Sequence, residues 1–273
     1  MAIVAKYFYK IRTYTVQFAN IYNVSAAQKH GVRVCLGTWI LRNDPSRTRS
    51  EIDTAAEQAL THPGTVVHFI VGNEVDRREQ NYAPGEVLQA MGYARKTLNG
   101  YGLNNIPVTS CFSGTVLQPG NPSEPIWSDT VNACEKLVYL TVYPWYGNSQ
   151  PGNIDPNMQW SYDNGMKQVE ALGKHVVIGE IGWPSAGGRE TTVENEALNY
   201  KVTNDWVLGR NPLNKAYEAF WFEMFDEPWK TQEGPWGPHW GLYGSGKNPQ
   251  AKFPIPPRGP SAKVAPDLVA KVF

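Results

Sequence analysis

The sequence has no excess of either charge and few cysteines. Its 25 Lys and Arg residues balance 25 Asp and Glu residues, so no basic surface favours nucleic acid and no acidic tail is present. We therefore expect a neutral partner. The three cysteines, Cys35, Cys111 and Cys134, lack CxxC spacing, which supports neither a zinc site nor a dense disulfide framework.

The sequence also lacks targeting and phosphate-binding signals. No hydrophobic run approaches the length of a membrane span, and the first 14 residues have neither the apolar region nor the cleavage site of a signal peptide. We expect no membrane partner and no signal peptide in this chain. Asn23-Val24-Ser25 is a lone glycosylation sequon, and Gly244-Ser245-Gly246-Lys247 lacks the spacing of a phosphate loop and is predicted to be a turn.

Apolar runs of strand length alternate with helix-length amphipathic segments along the chain. Without a Gly-rich phosphate loop after any strand, this α/β pattern favours a (β/α)8 TIM-type barrel over an open doubly wound sheet. We expect residues 1–273 to form a single catalytic barrel domain with a Pro-rich C-terminal segment at about residues 249–260. The predicted strands are Tyr9–Tyr14, Val32–Thr38, Val66–Gly72, Pro107–Phe112, Leu137–Tyr143, His175–Gly179 and Ala219–Phe225.

Two of these predicted strands end in a glutamate within a turn, at Asn73-Glu74 and at Gly179-Glu180. Because the C-terminal ends of barrel strands hold the chemistry, the two carboxyl groups are expected to meet across the barrel mouth. Retaining glycoside hydrolysis requires such a pair roughly 5 Å apart, one protonated and one ionised. The sequence therefore predicts Glu74 and Glu180 as catalytic residues, with Asn73 donating to a sugar hydroxyl.

Aromatic and charged residues follow the ends of further strands. Ten Trp and fourteen Tyr residues suit either sugar-stacking surfaces or core packing, and for each ring the two alternatives remain open. Glu227 and Lys230 either bind sugar hydroxyls or form a structural ion pair. The predicted substrate-binding set is Tyr14, Trp39, Asn73, Tyr143, Trp145, Tyr146, Trp183, Phe225, Glu227, Trp229 and Lys230.

Motifs from about Ile11 to Tyr243 resemble glycoside hydrolase family 17, a β-1,3-glucanase family, of the fungal or bacterial type. They are IRTY at 11–14, VGNE at 71–74, VYP at 142–144, GEIGWPS at 179–185, FDEPWK at 225–230 and WGL at 240–242. The resemblance implies a retaining mechanism with Glu74 as acid/base and Glu180 as nucleophile. It also implies a cleft for β-1,3-glucan or laminari-oligosaccharides, without metal or organic cofactor.

The resemblance leaves several points open. Only about ten residues precede the Arg-Thr-Tyr strand, so we expect the first strand of the family's barrel to be absent, leaving a gap in the wall. The glucosyl-enzyme reacts with water or with a sugar hydroxyl, and we favour β-1,3-glucanosyl transfer. The alternatives are a non-catalytic β-glucan-binding barrel and a different two-Glu β-glycanase. The natural precursor is expected to be secreted or located in the cell wall, and to be a monomer.

Overall fold

Strands and helices alternate along the chain in the computed structural model, which describes residues 1–121, 124–258 and 268–271. The strands are β1 (Lys10–Arg12), β2 (Gln17–Phe18), β3 (Ile21–Tyr22), β4 (Arg33–Thr38), β5 (Val66–Val71), β6 (Val108–Thr109), β7 (Cys111–Ser113), β8 (Leu137–Thr141), β9 (His175–Ile181), β10 (Glu218–Trp221) and β11 (Leu268–Lys271). The α-helices are α1 (Asn23–Gln28), α2 (Pro45–Thr61), α3 (Pro84–Gly100), α4 (Glu124–Ala133), α5 (Asp155–Ser161), α6 (Lys167–Ala171) and α7 (Val193–Val207). A π-helical turn, Tyr162–Met166, joins α5 to α6.

Nine of the strands form one parallel sheet in the order β6-β5-β4-β1-β11-β10-β9-β8-β7. The two ends of this order, β6 and β7, are separated in the chain by Ser110 alone. The Ser110 hydroxyl donates to the Val71 carbonyl of β5 at 2.6 Å, and its carbonyl accepts from the Tyr139 amide of β8 at 3.3 Å. The predicted (β/α)8 barrel is thereby confirmed, with β6 and β7 acting as one interrupted strand.

The barrel position expected to be empty is occupied by β11. This strand pairs in parallel with β10 through Leu268 and Ala219, and with β1 through Ala270 and Ile11. The residues before β1 contain a 3-10 turn, Val4–Lys6, and no strand, as the sequence analysis expected. The gap, however, is filled from the C-terminal part of the chain. The four residues of β11 are too short a run to give a strand signal by periodicity.

The longer helices begin and pack as their patterns predict. Pro45 opens α2, and the Asp44 carboxylate accepts from the Arg47 amide at 3.0 Å. Pro84 opens α3, where the Glu86 carboxylate accepts from the amide of the residue before Pro84. At the N-termini of both helices, a carboxylate thus accepts from an amide that has no partner within the helix. The inward faces are apolar, with Ile52, Ala55, Ala56 and Ala59 buried on α2 and Val87, Met91, Ala94 and Leu98 buried on α3.

Several features singled out from the sequence have structural roles. The sequon residue Asn23 is 7% exposed and donates to the Thr15 carbonyl at 2.7 Å, so its amide nitrogen is already engaged in the fold. All three cysteines are free and buried. In the described part of the Pro-rich segment, the Arg258 amide donates to the Lys6 carbonyl at 2.9 Å. Residues 259 and 260 of that segment lie outside the described residues.

Among the residues that the structure describes, no helix is both long and apolar enough to cross a membrane.

Candidate active site

A cleft of about 1120 Å³ lies at the C-terminal ends of the barrel strands. Its walls include Trp39 after β4, Asn73 and Glu74 after β5, Thr141 at the end of β8 and Glu180 near the end of β9. Parallel strands bring these ends to one mouth of the barrel. The sequence prediction that Glu74 and Glu180 share one site therefore agrees with their placement.

Glu180 is 4% exposed and accepts hydrogen bonds from three side chains. The Tyr14 hydroxyl and the Arg12 guanidinium donate to Oε1 at 2.5 and 3.2 Å, and the Tyr143 hydroxyl donates to Oε2 at 2.6 Å. Burial, with the neighbouring carboxylate, raises the pKa of both tyrosines well above the usual value, so they remain donors at neutral pH. Three donors and one positive charge stabilise the ionised form of Glu180.

Arg12 connects the segments that carry the two glutamates. It is 1% exposed, and its guanidinium donates to the Gly179 carbonyl at 2.8 Å and to Asn73 Oδ1 at 2.6 Å. Asn73 Oδ1 is thus engaged, and its amide nitrogen is the remaining side-chain donor of this cleft residue. Gly179 makes room for this arrangement, because a Cβ there would lie 2.9 Å from the Arg12 guanidinium nitrogen.

Glu74 has a different environment from Glu180. It adopts a left-handed backbone conformation with φ of 46°, which is uncommon for a residue with a side chain and costs on the order of 1 kcal/mol. Its Oε1 accepts from the Thr141 hydroxyl at 2.6 Å and from Arg77 at 3.4 Å. Burial, followed by the charge of Glu180, raises the pKa of Glu74 to about 7. A substantial fraction of Glu74 is therefore protonated at neutral pH.

The two glutamates together supply a proton donor and an ionised carboxylate at one mouth. Only a proton donor with a pKa near the working pH both gives up and takes back its proton readily. An ionised carboxylate held by three donors is suited to attack an electrophilic carbon or to stabilise a positive charge. Glycosidic-bond chemistry with two carboxyl groups uses one proton donor and one ionised carboxylate in the same cleft.

The turn after β10 contributes a charged group to the cleft wall. Lys230 lies 3.3 Å from the Glu223 carboxylate, forms an ion pair with Glu227, and lies 4.4 Å from the centroid of the Phe222 ring. Glu227 is 6% exposed, and both Glu227 and Lys230 line the cleft. The ion pair that was one of the two alternatives for Glu227 and Lys230 is present, and it lies in the wall of the cleft.

The structure brings most of the predicted substrate-binding residues to the cleft, but not all of them. The residues that line it are Tyr14, Trp39, Asn73, Tyr143, Tyr146, Glu227, Trp229 and Lys230. Tyr146 and Trp229 are the most exposed of these rings, at 54% and 57%. Exposed rings beside polar groups are suited to stacking on sugar faces.

Three predicted residues, Trp145, Trp183 and Phe225, are not among the residues that line the cleft. Trp145 is 7% exposed; its ring packs against Tyr146 and Trp240, and its indole nitrogen donates to the Arg189 carbonyl. Trp183 is fully buried and donates to the Glu190 carbonyl. Phe225 packs on Tyr243. Their positions near strand ends do not distinguish an inward ring from a cleft ring, so the sequence alone could not separate the two groups.

Other residues of the site were not singled out from the sequence. Arg12 and Thr141 hold Glu180 and Glu74, and each lies at the C-terminal end of a strand. Arg77 and Trp160 also line the cleft. The strand-end position was an available signal for Arg12 and Thr141. No local signal marks Trp160, which precedes the π-helical turn and is 47% exposed.

The barrel and the glutamate pair at its mouth define the class of two-carboxylate glycosidase barrels. Over residues 1–241 the chain matches the family model described as the BtgE/BtgC glycoside hydrolase domain. The chain therefore belongs to this family.

Curated relatives match the chain over most of its length. The probable glucan endo-1,3-beta-glucosidase btgC of Aspergillus fumigatus is 26% identical over 257 residues, which cover 84% of this chain and 34% of that protein. The glucan endo-1,3-beta-glucosidase btgC of Emericella nidulans is 25% identical over 251 residues, covering 84% of this chain and 36% of that protein. The chain thus spans about a third of the length of the curated relatives that it matches.

Solved structures share the fold. An active-site mutant of the Rhizomucor miehei beta-1,3-glucanosyltransferase in complex with laminaritriose has a TM-score of 0.66 and 24% identity, covering 90% of this chain and 86% of that chain. An endo-laminarinase from Formosa Hel1_33_131 has a TM-score of 0.70 and 21% identity, covering 86% and 74%. Both likenesses support the barrel fold found here.

Proposed function

We propose that the chain is a retaining β-1,3-glucan-active enzyme of glycoside hydrolase family 17, with Glu180 as nucleophile and Glu74 as acid/base. The observation that carries this proposal is the unequal environment of the two carboxyl groups in one cleft. Glu180 accepts from three donors, one of them the buried Arg12, whereas burial and the charge of Glu180 raise the pKa of Glu74 to about 7. This inequality supports the two roles that retention needs.

In the first step, a Glu180 oxygen forms a bond to the anomeric carbon while the glycosidic bond breaks. The proton of Glu74 passes to the leaving oxygen, so that Glu74 becomes a carboxylate. In the second step, Glu74 takes a proton from water or from a sugar hydroxyl, whose oxygen attacks the same carbon. The Glu180 ester bond then breaks and both side chains return to their starting states.

The substrate in this proposal is β-1,3-glucan or a laminari-oligosaccharide. Relatives and structural neighbours named as glucan endo-1,3-beta-glucosidase, endo-laminarinase and beta-1,3-glucanosyltransferase support it. Exposed Trp229, Tyr146 and Trp160 supply flat rings along the cleft, and Asn73 donates to a hydroxyl beside the reacting carbon. We propose that glucanosyl transfer competes with hydrolysis, and that residues 1–273 are one catalytic domain of an extracellular or cell-wall enzyme.

Chemical rescue by azide tests the two roles separately. Glu180→Ala and Glu74→Ala are incubated with an aryl β-laminaribioside, with and without sodium azide, because its aryloxide leaves without protonation by Glu74. Because azide replaces the missing nucleophile in Glu180→Ala, it yields an α-glycosyl azide there. In Glu74→Ala it attacks the glucosyl-enzyme and yields a β-glycosyl azide. Glu57→Gln, on the exposed face of α2, is the matched control and keeps wild-type turnover.

The product pattern decides between the remaining alternatives. Laminari-oligosaccharide products longer than the substrate establish transfer, and shorter products alone establish hydrolysis. Rescue with the opposite anomeric outcome in either variant contradicts the assigned roles. A wild-type protein that binds laminari-oligosaccharides without turnover supports a non-catalytic glucan-binding barrel instead.

A further inference from the structure

A second cluster of reactive side chains lies inside the barrel, in the half away from the cleft. Cys35 and His68 are aligned partners in the adjacent strands β4 and β5, and Glu218 is the first residue of β10. Among the residues that the structure describes, these three are the one group of metal-ligating types whose donor atoms all lie within 4.8 Å of one another. In β1, Lys10 is the first residue and Arg12 the last, and Arg12 lies towards the cleft. The Arg12 guanidinium is 5.4 Å from the centroid of the Tyr139 ring.

The spacing within the cluster suits a small divalent cation. Cys35 Sγ and His68 Nδ1 are 3.4 Å apart. Zinc bonds of about 2.3 Å to sulfur and about 2.0 Å to nitrogen, at a tetrahedral angle, place the two ligand atoms roughly 3.5 Å apart. The Tyr139 hydroxyl lies 2.7 Å from the same imidazole nitrogen and provides either a fourth ligand or a hydrogen bond to one of the three ligands. A thiolate, an imidazole and a carboxylate are the ligand types that zinc prefers.

Glu218 is arranged to complete such a site. Its Oε2 accepts from the Lys10 ammonium group at 2.7 Å, whereas its Oε1 is buried and has no hydrogen-bond partner. A buried carboxylate oxygen without a partner is costly, and a cation beside Oε1 removes that cost. The Lys10 and Glu218 side chains are 12% and 25% exposed, so the cluster is accessible from the barrel end opposite the cleft.

We propose that Cys35, His68 and Glu218 bind one zinc-like divalent cation, with Lys10 retained on the outer oxygen of Glu218. Binding releases the thiol proton of Cys35 to solvent. The cation links β4, β5 and β10, strands that lie on opposite sides of β1 and β11 in the sheet order. Its role is structural, because the cluster lies outside the catalytic cleft, and the inference does not depend on the proposed reaction.

Cobalt titration tests the site directly. The protein is stripped with a chelator and titrated with Co²⁺, which takes zinc sites and gives near-ultraviolet charge-transfer absorption when a thiolate binds it. We expect saturation at one Co²⁺ per chain, displacement by Zn²⁺, and loss of the absorption in Cys35→Ser. Cys134→Ser is the matched control, since Cys134 is also a buried thiol, and it keeps the absorption. No saturable binding, or the same absorption in Cys35→Ser, overturns the proposal.

Two further variants keep the test decisive if Cys35→Ser folds poorly. His68→Gln is expected to weaken Co²⁺ binding at least as strongly as Cys35→Ser, with the fold checked by circular dichroism. Lys10→Met removes a positive charge next to the site, so it is expected to tighten Co²⁺ binding about tenfold. An affinity that is unchanged in Lys10→Met shows that Glu218 is not a ligand and contradicts the three-residue site.

Discussion

The regions around Glu180 and Glu74 hold the same residue type in different environments. Around Glu180 there are three donors, the buried Arg12 and Tyr14 and the partly buried Tyr143. Around Glu74 the donors are one hydroxyl and one partly exposed guanidinium, from Thr141 and Arg77. The number of donors, more than burial, separates the two environments, since both carboxyl groups lie in the same cleft.

The supports behind the two regions also differ. Tyr143, which donates to Glu180, packs edge-on against Trp240 with centroids 5.4 Å apart, and Trp240 packs against Trp145. Glu74 instead lies on a left-handed turn after β5. Glu180, the proposed nucleophile, is thus backed by the aromatic core. Glu74, the proposed acid/base, lies on a turn.

Arg12→Met should have the largest effect, because it removes the cation from Glu180 and the restraint on Asn73 together. We expect kcat/KM to fall about 10³-fold or more, as for loss of a preorganised charge in a water-excluded site. Steady-state kinetics on laminari-oligosaccharides measures the effect. Arg12→Lys is the companion variant and should recover part of the loss. A fall of less than tenfold in Arg12→Met would show that the tyrosines alone hold Glu180.

Trp145→Ala tests the aromatic support of the Glu180 region. Because the ring is buried against Tyr146 and Trp240, we expect the free energy of unfolding to fall by about 3–5 kcal/mol. Trp229→Ala is the comparison, since that ring is 57% exposed. In this variant the free energy of unfolding should change by about 0.5 kcal/mol or less, while oligosaccharide binding weakens. Urea unfolding and binding titrations measure both. Equal stability losses would contradict the placement of the two rings.

Glu74→Gln tests the environment of the acid/base through the pH dependence of stability. The pKa of Glu74 is raised in the folded state from 4.5 to about 7, so its favourable contribution is present below pH 4.5 and is lost as pH rises through 7. Glu74→Gln has no ionisable group at this position. Wild type should therefore lose stability relative to Glu74→Gln as the pH rises. The difference between their free energies of unfolding should change by roughly 2–3 kcal/mol in favour of the variant between pH 4.5 and pH 8. Urea unfolding at the two pH values measures this, and a difference independent of pH would contradict the raised pKa.

Much of the barrel could be predicted from the sequence, because its signals are local. Strand-length apolar runs, the Pro45 and Pro84 helix starts and the glutamates after β5 and within β9 all follow from short patterns. The strand β11 could not be predicted in the same way, since its four residues are placed by pairing with β1 and β10. That pairing depends on the closed barrel and not on neighbouring residues.

The candidate site shows the same division. Residue type and strand-end position predicted Glu74 and Glu180, but not which tryptophans face the cleft, because Trp145 and Trp229 both occur in aromatic turns. Cysteine spacing likewise carries no information about Cys35, His68 and Glu218, which are brought together from three separate strands. Contacts between distant segments are set by the packing of the whole barrel.

The smallest effect is expected from a change at Thr141. The Thr141 hydroxyl donates to Glu74 and thereby lowers its pKa, opposing burial and the charge of Glu180. Thr141→Val removes this bond, so the pKa of Glu74 should rise and the basic limb of kcat/KM should move to higher pH by roughly half a unit to one unit. The acidic limb, which depends on ionised Glu180, should stay in place.

The control for this shift is Thr61→Val, at the end of α2 and far from the cleft. Arg77→Gln should move the basic limb in the same direction but by less, because Arg77 lies 3.4 Å from Glu74 and is half exposed. If Thr141→Val instead moves the acidic limb, the proposed assignment is reversed: Glu74 is the ionised nucleophile and Glu180 is the acid. An unchanged profile in both variants would mean that burial and the charge of Glu180 alone set the pKa of Glu74. Neither Thr141 nor Arg77 would then tune this pKa.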